Sequence, residues 1–189
     1  MWLLRMQRVV IMGPPGSGKS TLARHIGTQL GLPVFHLDQA YWQRGWIETP
    51  SDVFRAEVER IAALPAWVID GNYTETIAVR LCVADTLIYL DVPSWLSIMR
   101  IARRTLTSYG RVRADAAFGC AERLDPTFLR IAWNWNRTSR ARNLAIVDSF
   151  SGRKIVIRGR HALRSFYRHT TETIEPLDAA DAGPRTEVE

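Results

Sequence analysis

The chain has 189 residues, 47% of them apolar, which suits one compact domain with a single hydrophobic core and excludes general disorder. No run of about 18 uncharged apolar residues occurs, so no membrane span is expected; the apolar opening of the chain is broken by Arg5 and Arg8 and lacks a signal-peptide cleavage site. The net charge of +6 hides an asymmetry, because residues 1–171 hold 24 of the 25 basic side chains but 13 of the 19 acidic ones, a balance of +11.

All the basic residues except Lys19 and Lys154 are arginines. Such a body favours anionic partners, whether nucleotides, phosphorylated metabolites or nucleic acid. Two cysteines, Cys82 and Cys120, lack metal-ligand spacing and suit a reducing cytoplasm.

Along the chain, strand and helix patterns alternate. Residues 1–6 read as a loose extension, and Arg8–Met12 as a buried strand. Ser20–Leu30 reads as a helix with Leu22, Ile26 and Leu30 on one face and Gly31 to stop it. A second strand is expected over Val34–Leu37. Ser51 is the expected N-cap of a helix to about Leu64 that faces the core with Val53, Phe54, Val58 and Ile61. Strands follow at Ala66–Asp70 and Thr86–Asp91. Trp95, Ile98, Met99, Ala102 and Leu106 stripe the next helix; residues 107–126 read as an arginine-rich loop, and a long helix is expected over Pro126–Ala145. A fifth strand over Lys154–Ile157 and a helix near His161–Arg168 complete the pattern. Five strands spaced by helices predict an α/β, three-layer fold with a parallel sheet and ligands at the carboxyl ends of its strands. One domain over residues 1–175 is expected, its loop acting as a mobile lid. Residues 176–189, acidic and without an apolar face, are expected to be disordered.

Residues 13–21, Gly-Pro-Pro-Gly-Ser-Gly-Lys-Ser-Thr, match the phosphate-loop pattern G-x-x-x-x-G-K-[ST]. Several backbone N–H groups must converge on phosphate oxygens, and Gly13, Gly16 and Gly18 let the chain curl without Cβ clashes. Ser17 and Thr21 belong to the same cradle. The following helix adds its positive end, Lys19 a mobile charge for the β- and γ-phosphates, and the Ser20 hydroxyl a Mg²⁺ ligand. The expected cofactors are ATP and Mg²⁺. No lysine remains for a guanine-reading N-K-x-D motif, which argues against a GTPase.

The loop, with Val68–Gly71 and Tyr89–Pro93, resembles that of adenylate kinase and its relatives. A closer resemblance is to the bacterial "DNA topology modulation protein" group, carried by His36-Leu-Asp38-Gln-Ala-Tyr-Trp42, Gly45-Trp46, Ile69–Tyr73, Arg80-Leu, Gly110–Arg113, Gly119–Asp125 and Trp133-Asn-Trp135. That group is kinase-like in sequence, and the resemblance supplies no acceptor. It implies a metal role for Asp70 and an acceptor-side, proton-accepting role for Asp38. The likeness to adenylate-kinase relatives implies that Arg158 and Arg160 border the adenine.

The acceptor side is less defined. Tyr41, Trp42 and Trp46 stack on a base or sugar, or form a small hydrophobic core. His36 is structural or catalytic; Asn72 and Tyr73 stand where adenylate kinase contacts a monophosphate; Arg80 clamps an anionic acceptor group or lies on the surface. Among the arginines, Arg104, Arg111 and Arg137 or Arg140 are expected to face the phosphates, drawn from a cluster with Arg100, Arg103 and Arg113. Trp133 and Trp135 read as packing residues. The leading reading is a kinase acting on ATP and a small acceptor. A nucleic-acid-binding ATPase and a nucleotide switch with little turnover are the alternatives.

Overall fold

The computed structural model describes residues 6–172; the expected acidic tail lies outside them. Five parallel strands, β1 (Arg8–Met12), β2 (Val34–His36), β5 (Trp67–Asp70), β6 (Thr86–Asp91) and β7 (Arg153–Arg158), form a sheet in the order β2-β5-β1-β6-β7. The expected five-stranded parallel α/β architecture is therefore present. A two-stranded hairpin, β3 (Trp42–Gln43) and β4 (Ile47–Glu48), stands apart from it.

Strand alternation divides the core. Val9 and Ile11 face α1 (Lys19–Leu30) through Leu22 and Ile26, and α8 (Gly159–Glu172) through Phe166. Val10 and Met12 face α3 (Ser51–Ala62), through Phe54, Val58 and Ile61, and α7 (Arg140–Ser149), through Val147. The buried face of each strand is almost wholly aliphatic or aromatic, as a sheet covered on both sides requires. In-register pairing sets Ile11 against Asp70, and Asp70 against His36. The carboxyl ends of β1, β5 and β2 thus lie side by side.

Several expectations need correction. Met6 is buried in the core rather than part of a loose extension. The second strand ends at His36, and Asp38 stands in the first turn of a short helix, α2 (Leu37–Tyr41). Pro50, not Ser51, caps α3, and Val53 is exposed. A one-turn helix at Thr74–Thr76 and α4 (Ile77–Leu81) follow β5. In α5 (Ser94–Ser108) the buried face is Leu96, Ser97, Ile101 and Thr105, while Trp95, Met99 and Leu106 are exposed. The aliphatic stripe in the sequence therefore marks the outer face, because the inner face carries hydroxyls. The long helix is two, α6 (Pro126–Thr138) and α7, broken at Ser139. There Ser139 takes φ of −116°, outside the helical value, and its carbonyl accepts both the Asn143 N–H at 3.0 Å and the Asn143 side chain at 2.7 Å. Trp135 packs inside, whereas Trp133 is 57% exposed.

Between α5 and α6, residues 109–125 hold only isolated bridges. This arginine-rich connection docks on the hairpin. The Trp46 indole donates to the Ala121 carbonyl (3.0 Å), and the Gly45 N–H to the Gly119 carbonyl (3.3 Å). Trp46 adopts φ of 66°, a conformation disfavoured for a bulky residue. It is held there by that indole bond and by Arg123 stacked over the ring at 5.6 Å.

Candidate active site

A cavity of about 590 Å³ opens at the carboxyl ends of the strands, lined by residues 15–21, by the ends of β5 and α2, and by α5, α6, α8 and the connection. The phosphate loop forms its floor. Gly13 and Gly16 take φ of 149° and 71°, and a Cβ at either position would lie 2.7 Å from a carbonyl oxygen, of Leu90 or Ser97. Only glycine permits both the turn and the close approach of β6 and α5.

The first main-chain bond of α1 runs from the Leu22 N–H to the Gly18 carbonyl at 3.0 Å, so the amides of the turn before it have no helical acceptor. That is an anion site by construction. Lys19 reaches back over the loop and donates to the Gly13 and Pro14 carbonyls, at 2.9 and 3.0 Å. Burial lowers its pKa, partly countered by Asp70 and Asp38. A partly desolvated ammonium whose hydrogen-bond partners are carbonyls is a strong attractor for an anion.

The Ser20 hydroxyl donates to Asp70 Oδ2 at 2.8 Å. The other Asp70 oxygen is held by His36 Nδ1. Ser20 and Asp70 together offer hard oxygen donors beside the loop, few enough to leave positions for phosphate oxygens and water. This is the donor set that suits Mg²⁺.

On the opposite side, Tyr73 donates its hydroxyl to Asp38 Oδ1 at 2.7 Å. Burial, then the Asp38 carboxylate, holds the Tyr73 phenol well above its ordinary range, so it remains a donor and leaves the second Asp38 oxygen to a ligand. Asn72 turns inward instead: its carboxamide accepts from the Gly13 N–H at 3.1 Å and donates to the Gly13 carbonyl at 2.9 Å.

The arginines separate sharply. Arg100 donates to the Ser17 carbonyl at 2.7 Å beside Tyr167, and burial lowers its pKa. Arg104 and Arg113 converge on Glu122, which is 4% exposed, at 2.9 and 2.8 Å. Thr105 also donates to Glu122, and Arg113 chelates Asp115 at 3.0 and 2.9 Å. Arg104 further lies over the Phe128 ring at 5.8 Å. Two guanidinium groups so close repel, and Glu122 is the buried charge that holds them together.

Other expected site residues lie elsewhere. Arg80 is fully buried, and its guanidinium donates to the Gly71, Asn72 and Tyr73 carbonyls. It braces the turn after β5 and is neither an acceptor clamp nor a surface residue. Arg140 chelates Asp91 at 2.8 Å through both contacts, and Arg158 approaches the same carboxylate at 3.6 Å. Neither lines the cavity, nor do Arg111, Arg137 and Arg160. On α8 the wall is made by Leu163 and Tyr167, one and two turns beyond Arg160. Ser17 lines the cavity but its hydroxyl is buried without a partner. His36 reaches the site only through Asp70, and Trp42 packs edge-on against Tyr41 (4.9 Å) and Trp46 (5.6 Å), so the packing alternative holds for it. Lys19, Ser20, Thr21, Asp38, Asp70, Asn72, Tyr73 and Arg104 do come together. Sequence reasoning missed Glu122, Asp115, Phe128, Leu163 and Tyr167; the i, i+4 spacing of the last two on one helix was the available signal.

Comparison with known proteins agrees with this fold. Residues 9–64, from β1 through α3, match the model of the ATPase family associated with various cellular activities. A cytidylate kinase from Desulfurococcus amylolyticus is 31% identical over 126 residues, which cover 58% of this chain and 67% of that protein. Among solved structures, a shikimate kinase from Acinetobacter baumannii in complex with shikimate superposes with a TM-score of 0.54 at 18% identity, covering 93% of this chain and 96% of that one. A gluconokinase from Sinorhizobium meliloti 1021 gives 0.52 at 16% identity, covering 93% and 97%; these two likenesses speak for the fold. With the relative, the phosphate loop and the sheet order in agreement, the chain belongs to the P-loop kinase family.

Proposed function

We propose that this chain transfers the γ-phosphoryl group of Mg·ATP to a hydroxyl of a small acceptor. The observation that carries the reading is the convergence, in one cavity, of Lys19 and the Ser20–Asp70 pair with Asp38 across from them. The loop amides and Lys19 bind the β- and γ-phosphates. Ser20 and Asp70 would hold Mg²⁺, which supplies neutralising charge on the phosphate oxygens when bound. Arg104 and Arg113, fixed by Glu122, face the transferring group as its charge spreads. The free oxygen of Asp38 accepts the proton of the attacking hydroxyl. Leu163, Tyr167 and Arg100 form the wall for the base, and residues 109–125 act as the lid.

The resemblance to the DNA topology modulation group rests on the sequence motifs and names no acceptor. The cytidylate kinase and shikimate kinase carry the names of cytidylate and shikimate, both anions. The test is acceptor-dependent ADP release from Mg·ATP. The reading requires release to rise with one class of acceptor, and to be lost in Lys19→Ala and Asp38→Asn; acceptor-independent hydrolysis that survives Asp38→Asn would overturn it.

A further inference from the structure

Each cation that lines the cavity already has partners. Lys19 rests on the loop carbonyls and Arg100 on the Ser17 carbonyl. Arg104 and Arg113 share Glu122, and the outer edge of Arg113 is chelated by Asp115. Arg80, beneath the acceptor side, is fully buried and gives its terminal guanidinium N–H groups to three main-chain carbonyls. Binding Mg·ATP draws the loop-side cations further toward phosphate.

What remains on the acceptor side is acidic and hydroxylic, Asp38 and the Tyr73 hydroxyl bonded to it, while Asp115 lines the cavity beside Ser20 and keeps Arg113 occupied. An acceptor bearing a phosphate or carboxylate would meet the Asp38 carboxylate and, among the described residues that line the cavity, no guanidinium without a partner, a like-charge juxtaposition that disfavours it. A sugar or nucleoside hydroxyl, by contrast, finds a carboxylate oxygen to accept from it and an aromatic ring, Tyr73, to lie against.

We propose that the acceptor is a neutral, hydroxyl-bearing molecule of the polyol, sugar or nucleoside class, selected by Asp38 and Tyr73, with Asp115 discriminating against anionic analogues. The inference rests on the kinase reading above. In the step, the bond between the γ-phosphorus and the β,γ-bridging oxygen breaks and the acceptor oxygen bonds to phosphorus. The hydroxyl proton passes to Asp38, and ADP leaves with the bond electrons.

Matched acceptors test it: nucleosides against their monophosphates, and sugars against the corresponding aldonic acids and sugar phosphates. The protein is the full chain with Mg·ATP, read by ADP release and by phosphorus NMR of the new ester. The neutral members are expected to show kcat/KM about tenfold or more above their anionic partners, the size of a like-charge penalty. In Asp115→Asn, which releases the outer edge of Arg113, that ratio should fall several-fold toward the anionic members. A preference for the anionic members overturns the acceptor class and leaves the kinase reading standing. A ratio that Asp115→Asn does not move removes Asp115 as the discriminating group. Failure of both arms, in protein that binds Mg·ATP by calorimetry, overturns the kinase reading and the acceptor class with it.

Discussion

The Asn72 carboxamide clasps Gly13, accepting from its N–H at 3.1 Å and donating to its carbonyl at 2.9 Å. The turn after β5 is thereby bonded to the first residue of the phosphate loop, whose carbonyl also receives Lys19. Loop shape and Lys19 position thus depend on a side chain 59 residues away. Asn72→Ala should weaken Mg·ATP binding about tenfold, the worth of one to two hydrogen bonds. Asn72→Asp should do no better, since it sets a carboxylate against the Gly13 carbonyl. Calorimetric titration with Mg·ATP checks both.

Glu122 makes a separable prediction. Glu122→Gln keeps the shape but removes the charge between Arg104 and Arg113, so transition-state contacts suffer more than ground-state ones. The expected result is a fall in kcat of about tenfold to a hundredfold, below the full effect of an arginine finger, with Mg·ATP affinity changed less. Single-turnover kinetics beside equilibrium binding measures the split.

Arg80 should behave as a structural residue. Arg80→Met leaves three main-chain carbonyls without their donor and should lower stability by about 3 kcal/mol. Arg80→Lys should fail to restore it, because an ammonium cannot span the carbonyls of Gly71, Asn72 and Tyr73 as a planar fork does. Denaturant unfolding decides this.

Asp91 gives a pH dependence. Hydrogen bonding from Arg140, offset by burial and aided by the charges of Arg140 and Arg158, holds the Asp91 carboxyl below its usual 3.8. A folded-state pKa below the unfolded one stabilises the protein above the unfolded value, and the contribution disappears as pH falls through the folded value. Asp91→Asn should therefore cost about 1–2 kcal/mol at neutral pH, discounted for the half-exposed Arg140. The gap between variant and parent should begin to narrow below about pH 3.8, the unfolded carboxyl value, and close only once the pH has fallen through the lower folded value. Thermal unfolding across that range is the measurement.

The strand pattern and the phosphate loop were legible because both are local. The β1 apolar run, the glycines at 13, 16 and 18, and Thr86–Asp91 lie where the sequence puts them. Much of the site was not local. Glu122 looked like one more charge in a polar loop; its role comes from two arginines brought to it from α5 and from across the connection. Arg80 and Arg140 looked like available cations until tertiary partners, three carbonyls and Asp91, absorbed them. In α5 the apolar stripe misled because Ser97 and Thr105, buried against neighbouring segments, occupy the face that hydrophobic periodicity assigns to larger side chains.

The contact between the hairpin and residues 109–125 carries a kinetic consequence. Trp46 and Gly45 are bonded to Ala121 and Gly119, and Gln39 on α2 reaches the Ala114 carbonyl at 2.8 Å. The segment that delivers Arg113 and the wall that carries Asp38 are therefore latched to each other, so that displacing either one pulls on the other. Breaking the latch at Trp46 should speed the departure of both products together, a signature visible in how solvent viscosity and product inhibition act on turnover.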